Sequence, residues 1–369
     1  MSRSWKGAYM SSFSEEPNLI LLTQLLQIPA PSGREERMAA EIVRRIEGLG
    51  CAARRDAQGN VWTEVEGRDS SLGAVALASH MDEISMVITG VEPDGRLRVN
   101  RSGGLHPWKL GEGPVEILGD GDARVVAHLG FGSGHTSNPQ DPITQFASGS
   151  KGITWSDCRL FTGLSAAELR AAGVREGCCA VPLAAVRGPH LFGPPDDPLV
   201  SAWILDNRGG TLTLLRLLER LLESQLVPQR PLRLCFMVQE EHGLIGARGW
   251  AQRNPVEIFI AVDSSPIPKD VALSLDGRPA TWSRDSVVHF DQFIIRDLAR
   301  AAARADTELQ YAVYSAAASD ASGVLQSGGA PRAATIGYPR DNSHGYEVSR
   351  LQVFDCLIAT LFEYVKGVD

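Results

Sequence analysis

Residues 232–243 read LRLCFMVQEEHG, an apolar run that closes on two adjacent carboxylates, Glu240 and Glu241. The run 232–238 has the length and texture of a buried strand. A strand sends neighbouring side chains to opposite faces, so two glutamates at its end would point apart. They are either solvated loop acids or two groups with different tasks in one site.

Around this strand the chain alternates helix and strand. The spacing predicts helices over 210–223, 243–252, 288–303, 321–326 and 351–365, with strands over 256–262, 309–313 and 333–337. Such alternation builds an α/β sheet with helices on both faces. Nearer the start, 18–28 has helical periodicity, and Ser32-x-x-Glu35 is expected to cap a helix carrying Met38, Ile42, Ile46 and Leu49 on one stripe. Strands are expected at 61–65, 73–79 and 84–91. From about 91 to 195 glycine and proline are dense, strands look short, and the one helix expected is 165–172, opened by Ser165 and Glu168. The expected architecture is α/β: a mixed sheet flanked by helices (17–91 and 195–369) with an inserted smaller β-rich domain (92–194). Residues 1–16 read as a flexible polar extension. GFGSGH (130–135) has the glycines of a phosphate loop, but no helix is expected after it, so it reads as a flexible loop.

Bulk properties narrow the function. With 369 residues, 43% hydrophobic and 22% charged, the chain can bury a large core. A net charge of −8 argues against the basic face that nucleic acid needs. No apolar run reaches the roughly 18 residues of a membrane span. The six cysteines form no C-x-x-C pair, and Cys235 lies inside the apolar strand. Free thiols in a reducing compartment, the cytoplasm, follow from that usage.

Polar residues end several of the expected strands. The segment 73–79 runs into His80-Met81-Asp82-Glu83, SAWIL into Asp206-Asn207-Arg208, 232–238 into Glu240-Glu241, and IFIAV into Asp263; AATIGYP is followed by Arg340-Asp341-Asn342-Ser343-His344. Open α/β sheets bind ligands at the carboxyl ends of their strands, so these loops can converge. Two histidines with several carboxylates and no cysteine suit Zn²⁺, Co²⁺ or Mn²⁺. The five candidate ligands His80, Asp206, Glu241, Asp263 and His344 exceed one tetrahedral site and suit two ions sharing a carboxylate. Asp82 can orient the His80 imidazole. Each residue also has a plainer use. Asp206 can cap a helix, Asp263 can start a turn, His80 can sit satisfied in the core, His344 can be a loop residue, and the glutamates can be first-turn acids.

Six segments, IPAPSGREE (28–36), ASHMDEISMVI (78–88), LDNRGG (205–210), VQEEHGLIGARG (238–249), AVDSSP (261–266) and IGYPRDNSHGYE (336–347), together resemble the M42 metallo-aminopeptidases. That resemblance, which runs from about residue 19 to the C-terminus, implies a zinc-peptidase-like fold. It also implies two divalent ions, zinc first and cobalt or manganese as alternatives. Asp206 would bridge them, with Glu241 and His344 completing one site and His80 and Asp263 the other. Glu240 would be the general base, Asp82 would orient His80, and the peptide bond after Asp206 would be cis. The substrate would be a peptide or a small amide, and the insertion would build a homo-oligomer, from dimer up to dodecamer. Three segments depart from the family pattern: ASDASG (318–323), Gly345-Tyr346-Glu347 after His344, and the long stretch 129–152. The first and the last of them motivate an alternative, a metal-dependent amidase or deacylase of a small N-acylated or amidated metabolite. An inactive scaffold homologue is a further alternative, against which the complete set of His80, Asp206, Glu240, Glu241, Asp263 and His344 argues.

Overall fold

The structure, a computed structural model, describes residues 16–367. The expected N-terminal extension therefore lies outside the described residues, except Glu16. That side chain caps the first helix, Pro17–Leu26, by accepting from the backbone N–H groups of Asn18 and Leu19.

Seventeen strands follow in chain order. They are β1 (Arg54–Arg55), β2 (Val61–Val65), β3 (Val75–His80), β4 (Ser85–Val91), β5 (Leu97–Ser102), β6 (Gly113–Leu118), β7 (Arg124–Gly130), β8 (Arg159–Phe161), β9 (Cys179–Pro182), β10 (His190–Phe192), β11 (Leu199–Trp203), β12 (Leu232–Met237), β13 (Ile258–Pro266), β14 (Ala280–Arg284), β15 (Gln310–Val313), β16 (Arg332–Arg340) and β17 (Tyr346–Arg350). Eight of them form a mixed sheet in the order β1-β2-β12-β3-β13-β16-β14-β15. Its centre, β12-β3-β13-β16, is parallel throughout, so four carboxyl ends share one edge.

The pleat explains the layers. Val75, Leu77, Leu234, Phe236, Ile258, Ile260 and Ile336 face a core shared with the helices Pro17–Leu26, Glu36–Gly48, Leu205–Glu223 and Gln352–Lys366. The alternate residues Ala76, Ala78, Cys235, Met237, Phe259 and Ala261 face a second core with the helix Ile245–Arg253. Strands buried on both faces are apolar at every position, which is why they read as continuous runs.

The other domain is a closed barrel, β4-β5-β8-β7-β6-β9, around its own core of Ile84, Met86, Ile117, Leu129 and Leu160. It starts at Ser85 rather than 92, because β4 turns at Pro93–Gly95 into β5 and pairs with it and with β9. A three-stranded sheet, β10-β11-β17, leads back to the helical layer. The strands β14 and β17 were not expected, since ATWSR and YEVSR are short and partly polar. Two short helices also lie where none was expected, Pro107–Leu110 and, inside 129–152, Pro142–Ala147. A helix does therefore follow GFGSGH. It begins at Asp141-Pro142, where the aspartate side chain accepts from the Ile143 N–H. The box at Ser165–Glu168 forms as read.

No helix of the described residues is long and apolar enough to cross a membrane. The six cysteines are all free thiols.

Candidate metal centre

The carboxyl edge of the parallel strands carries the polar cluster. His80 ends β3 and Arg340 ends β16, with His344 four residues beyond in the same loop. Two placements differ from the sequence expectation. Asp263 sits inside β13, paired with Gly337, because β13 and β16 continue pairing out to Pro266 and Arg340. A side chain at Gly337 would drive its Cβ to 1.3 Å from the Asp263 carbonyl oxygen, so glycine is what lets these strands approach. Asp206 follows β11, which belongs to the three-stranded sheet rather than the main one. It is no helix cap: it lies at a kink before the regular helix, and the Asp206–Asn207 peptide is cis.

The paired glutamates also differ. β12 stops at Met237, and Gln239 adopts a left-handed backbone (φ 53°), so the pleat does not direct Glu240 and Glu241. Asp82 positions them instead. One of its carboxylate oxygens accepts from the Glu240 N–H at 3.0 Å, and the other from the Glu241 N–H at 3.2 Å and the Ser32 hydroxyl at 2.6 Å. The expected Ser32–Glu35 capping box is therefore absent. Ser32 holds Asp82, and Glu35 accepts from the Gly33 and Gln239 N–H groups at 2.9 and 3.1 Å. Left-handed non-glycine residues gather in this region, Ile204, Gln239, Leu244, Asn342 and His344 among them. Each conformation costs about 1–3 kcal/mol, a load concentrated where the loops are most tightly tied.

Two triads result. His80, Asp206 and Asp263 form one, and Asp206, Glu241 and His344 the other; within each, one donor atom per residue lies within 4.8 Å of the rest. Asp206 belongs to both. His80 Nδ1 faces the Asp82 carbonyl at 3.2 Å and its carboxylate at 3.4 Å, so Nδ1 carries a proton and Nε2 points at Asp206, 3.1 Å away. His344 Nδ1 likewise donates to the Gly104 carbonyl at 3.2 Å. Its Nε2 stands 3.9 Å from Asp206 and 3.8 Å from Glu241, too far for hydrogen bonds.

The electrostatics are those of an anionic cluster in want of cations. Burial pushes the carboxyls of Glu240 and Glu241 well up; Asp263 and Asp320 add to the first effect and Asp206 to the second. Burial and the Asp206 charge raise Asp263 to about 7. Burial opposes a proton on His80, but Glu240, Asp206 and Asp82 outweigh it and raise the imidazole. Asp206 stays well below the usual carboxylate range: burial works against ionisation, and Arg340, with His80, overcomes it.

These residues fit two divalent ions. Donors about 2.0–2.2 Å from one ion stand roughly 3–4 Å from each other, the spacing seen around His344 and His80. Glu241 Oε1 is buried without a hydrogen-bond partner, and both imidazoles turn an unengaged or cluster-facing Nε2 inward.

Other residues of the site were not singled out from sequence. Glu347 accepts from the Asp206 and His344 N–H groups at 2.8 and 2.9 Å and pairs with the buried Arg340, which also holds Asp206. Its signal was the Glu three positions after His344. Asp320, within ASDASG, is buried near His80, Asp82 and Asp263 with neither oxygen hydrogen-bonded among the described residues, and is raised to about 8 by burial first and the two acids next. Glu83 braces the β3 loop from behind, accepting from Ala30, Arg187, Arg208 and Trp203. A cleft of about 960 Å³ opens from the triads and is walled farther out by Ile267, Val271, Tyr314 and Ala316.

The profile of the M42 glutamyl aminopeptidases matches residues 59–358, a span holding every member of both triads. The chain belongs to the M42 family. Among curated M42-like relatives, the glutamyl aminopeptidase of Lactococcus lactis is 28% identical over 257 residues, covering 66% of this chain and 65% of the relative. Solved structures share the fold. The Pyrococcus horikoshii TET1 peptidase superposes with a TM-score of 0.82 at 24% identity, covering 95% of this chain and 100% of that one. An aminopeptidase of Desulfurococcus kamchatkensis gives 0.80 at 22% identity, with 95% of each chain covered.

Proposed function

We propose that the chain is a two-metal aminopeptidase that removes N-terminal residues from peptides. The observation that carries the reading is the pair of triads sharing Asp206, with Glu240 beside them. His80, Asp206 and Asp263 would hold one ion, and Asp206, Glu241 and His344 the other. An oxygen- and imidazole-rich set suits zinc, with cobalt or manganese as substitutes. When bound, such ions polarise a scissile carbonyl and lower the pKa of water.

The protein's own groups supply the rest. Half-buried Glu240 lines the cleft with His80, Asp206 and Asp263, its carboxyl raised by burial and by Asp263, Glu241 and Asp320. From there it would take a proton from the attacking water and return it to the leaving amine. Glu241 has Oε1 buried with no hydrogen-bond partner among the described residues and Oε2 3.8 Å from His344 Nε2, and acts as a ligand. Asp82 fixes the His80 tautomer and, through two backbone amides, the place of both glutamates. The acid-lined end of the cleft attracts the cationic α-amine of a peptide, and the outer walls take its side chain.

The TET1 relative assembles into a tetrahedron or an octahedral shell, and we read this chain as a homo-oligomer with the inserted barrel as the assembly domain. Six free cysteines, four of them buried, suit the cytoplasm. Two substitutions test the roles. Glu240→Gln should retain both metals and lose turnover by at least about a thousandfold, while Glu241→Gln should lose metal from one site. Normal turnover by Glu240→Gln removes the base assignment. Cleavage of N-blocked amides in preference to free-amine peptides would favour the amidase reading.

A further inference from the structure

The amino edge of the central sheet carries the opposite charge from the metal edge. There the starts of β3, β12, β13 and β16 meet the helices Gln292–Arg304 and Gln352–Lys366 around a cavity of about 410 Å³. Five arginines line it, Arg230, Arg296, Arg300, Arg304 and Arg332, against one carboxylate, Asp297. Three of the five recur at every fourth position of QFIIRDLARAAAR and so share one helical stripe. Like charges at that spacing repel. The chain as a whole has a net charge of −8, so a scatter of surplus arginine does not account for the stripe.

Acids answer most of the charge and leave donors over. Glu257 meets Arg230 at 3.0 Å, Asp291 meets Arg332 at 2.7 Å, Glu363 meets Arg304 at 3.3 Å and Asp297 meets Arg300 at 3.2 Å. Arg296 has no acid among the described residues; its guanidinium lies 5.0 Å from the centroid of the Phe293 ring. Every one of the four pairs also leaves nitrogens unengaged: Nε and Nη2 of Arg230 and of Arg300, and Nη1 of Arg304 and of Arg332. The Tyr364 hydroxyl lines the same cavity with no hydrogen-bond partner among the described residues.

We propose that this cavity is a binding site for a small polyanion, a metabolite bearing a phosphate or several carboxylates. Guanidinium forks match both oxyanions, and Arg296 and Arg300 offer the least committed ones. A concave volume at the small end of ligand pockets, about 300–1,000 Å³, fits a metabolite and not a nucleic-acid backbone, which needs an extended basic face. The site lies roughly 17 Å from the metal triads, taking the five residues from Ile258 to Asp263 in β13 at about 3.3 Å each. It therefore stands independently of the peptidase reading.

The test uses the metal-loaded full chain, with inorganic phosphate and tricarballylate as probes, titrated calorimetrically at constant ionic strength set with chloride. At least one probe should bind, and the double variant Arg296→Glu/Arg300→Glu should weaken it tenfold or more. Arg300→Gln, a neutral change at an exposed position, replaces it if charge reversal impairs folding and should weaken binding at least threefold. The arm that binds identifies phosphate or carboxylate as the recognised group. No binding of either probe to the wild-type chain overturns the proposal. So does binding unchanged in the variants, which would place the probe on the metals instead.

Discussion

Asp82→Asn is the most informative single change, because one carboxylate serves both glutamates, Ser32 and His80. Its two oxygens accept from the Glu240 N–H, the Glu241 N–H and the Ser32 hydroxyl, and one lies 3.4 Å from His80 Nδ1. Asparagine keeps the shape but has one acceptor oxygen. If that oxygen takes the place facing Glu241 and Ser32, its amide group meets the Glu240 N–H, donor against donor. One charge-assisted bond is lost and a buried donor is left unpaired, together about 2–4 kcal/mol. The opposite rotamer orphans the Glu241 N–H and sets the amide donor toward Ser32, whose hydroxyl can turn to accept. Either way the Glu240–Glu241 loop shifts. A base misplaced by about 1 Å loses about a hundredfold in kcat. The assay pairs kcat and KM on an aminoacyl p-nitroanilide with metal content by mass spectrometry and a thermal melt. We expect kcat to fall about a hundredfold at modest change in KM, with the melt lowered. A variant with wild-type kcat and an unchanged melt would show that Asp82 does not position the glutamates.

Metal removal is the next test. In the metal-free chain Glu240, Glu241 and Asp263 have folded-state pKa values raised above their unfolded ones, so the folded state binds extra protons and loses stability as pH rises toward and past 7. A chelated sample should melt lower at pH 8 than at pH 6, and restored zinc should remove most of that difference; equal melts at both pH values would count against it. Glu35 has its pKa raised to about 7 by burial and then by Asp82. Stability is therefore lost as pH rises from 4.5 through about 7, and Glu35→Gln, which keeps an oxygen for the Gly33 and Gln239 N–H groups, should stabilise the chain at pH 8 by up to about 3 kcal/mol. The gain should vanish below about pH 4.5, where both states protonate the acid, and urea melts at the two pH values measure it. Arg340→Met removes the buried partner of Asp206 and Glu347 and should cost about 3–5 kcal/mol by chemical denaturation. A loss below 1 kcal/mol would show the pair to be solvated. Gly104→Ala would put a Cβ 2.4 Å from His344 Nδ1, so it should weaken metal retention on dialysis while leaving the melt of the chelated protein nearly unchanged.

The layered α/β core was legible because double-sided burial writes itself as unbroken apolar runs, as in 232–238 and 256–262. The gathering of His80, Glu241, Asp263 and His344 was legible because the parallel centre of the sheet sends four carboxyl ends to one edge; Asp206 joins them from β11, in the three-stranded sheet. Local rules failed where tertiary contacts compete for the same atoms. Ser32 and Glu35 have capping-box spacing, yet Asp82 and the Gln239 amide take their side chains. The pleat argument for Glu240 and Glu241 failed because the strand had already ended and Asp82 fixes the loop. Glu347 and Asp320 escaped notice since a single buried acid in a short element carries no periodicity; only packing shows that the first is tied to Arg340 and that the second has no hydrogen-bond partner among the described residues.

The contact between the His344 ring and the Gly104 carbonyl limits what can be done with the barrel. Gly104 lies just past β5, so the insertion supplies one side of the slot that sets the histidine's orientation. Arg187, just past β9, reaches back in the same way to Glu83. The barrel is thus not a detachable module. Trimming it to a short linker would take the Gly104 carbonyl from the His344 ring and one of its two buried guanidinium partners from Glu83, leaving Arg208 alone to answer that charge. The stretch 129–152 makes no such contact, so loop grafts belong there and not between residues 103 and 110.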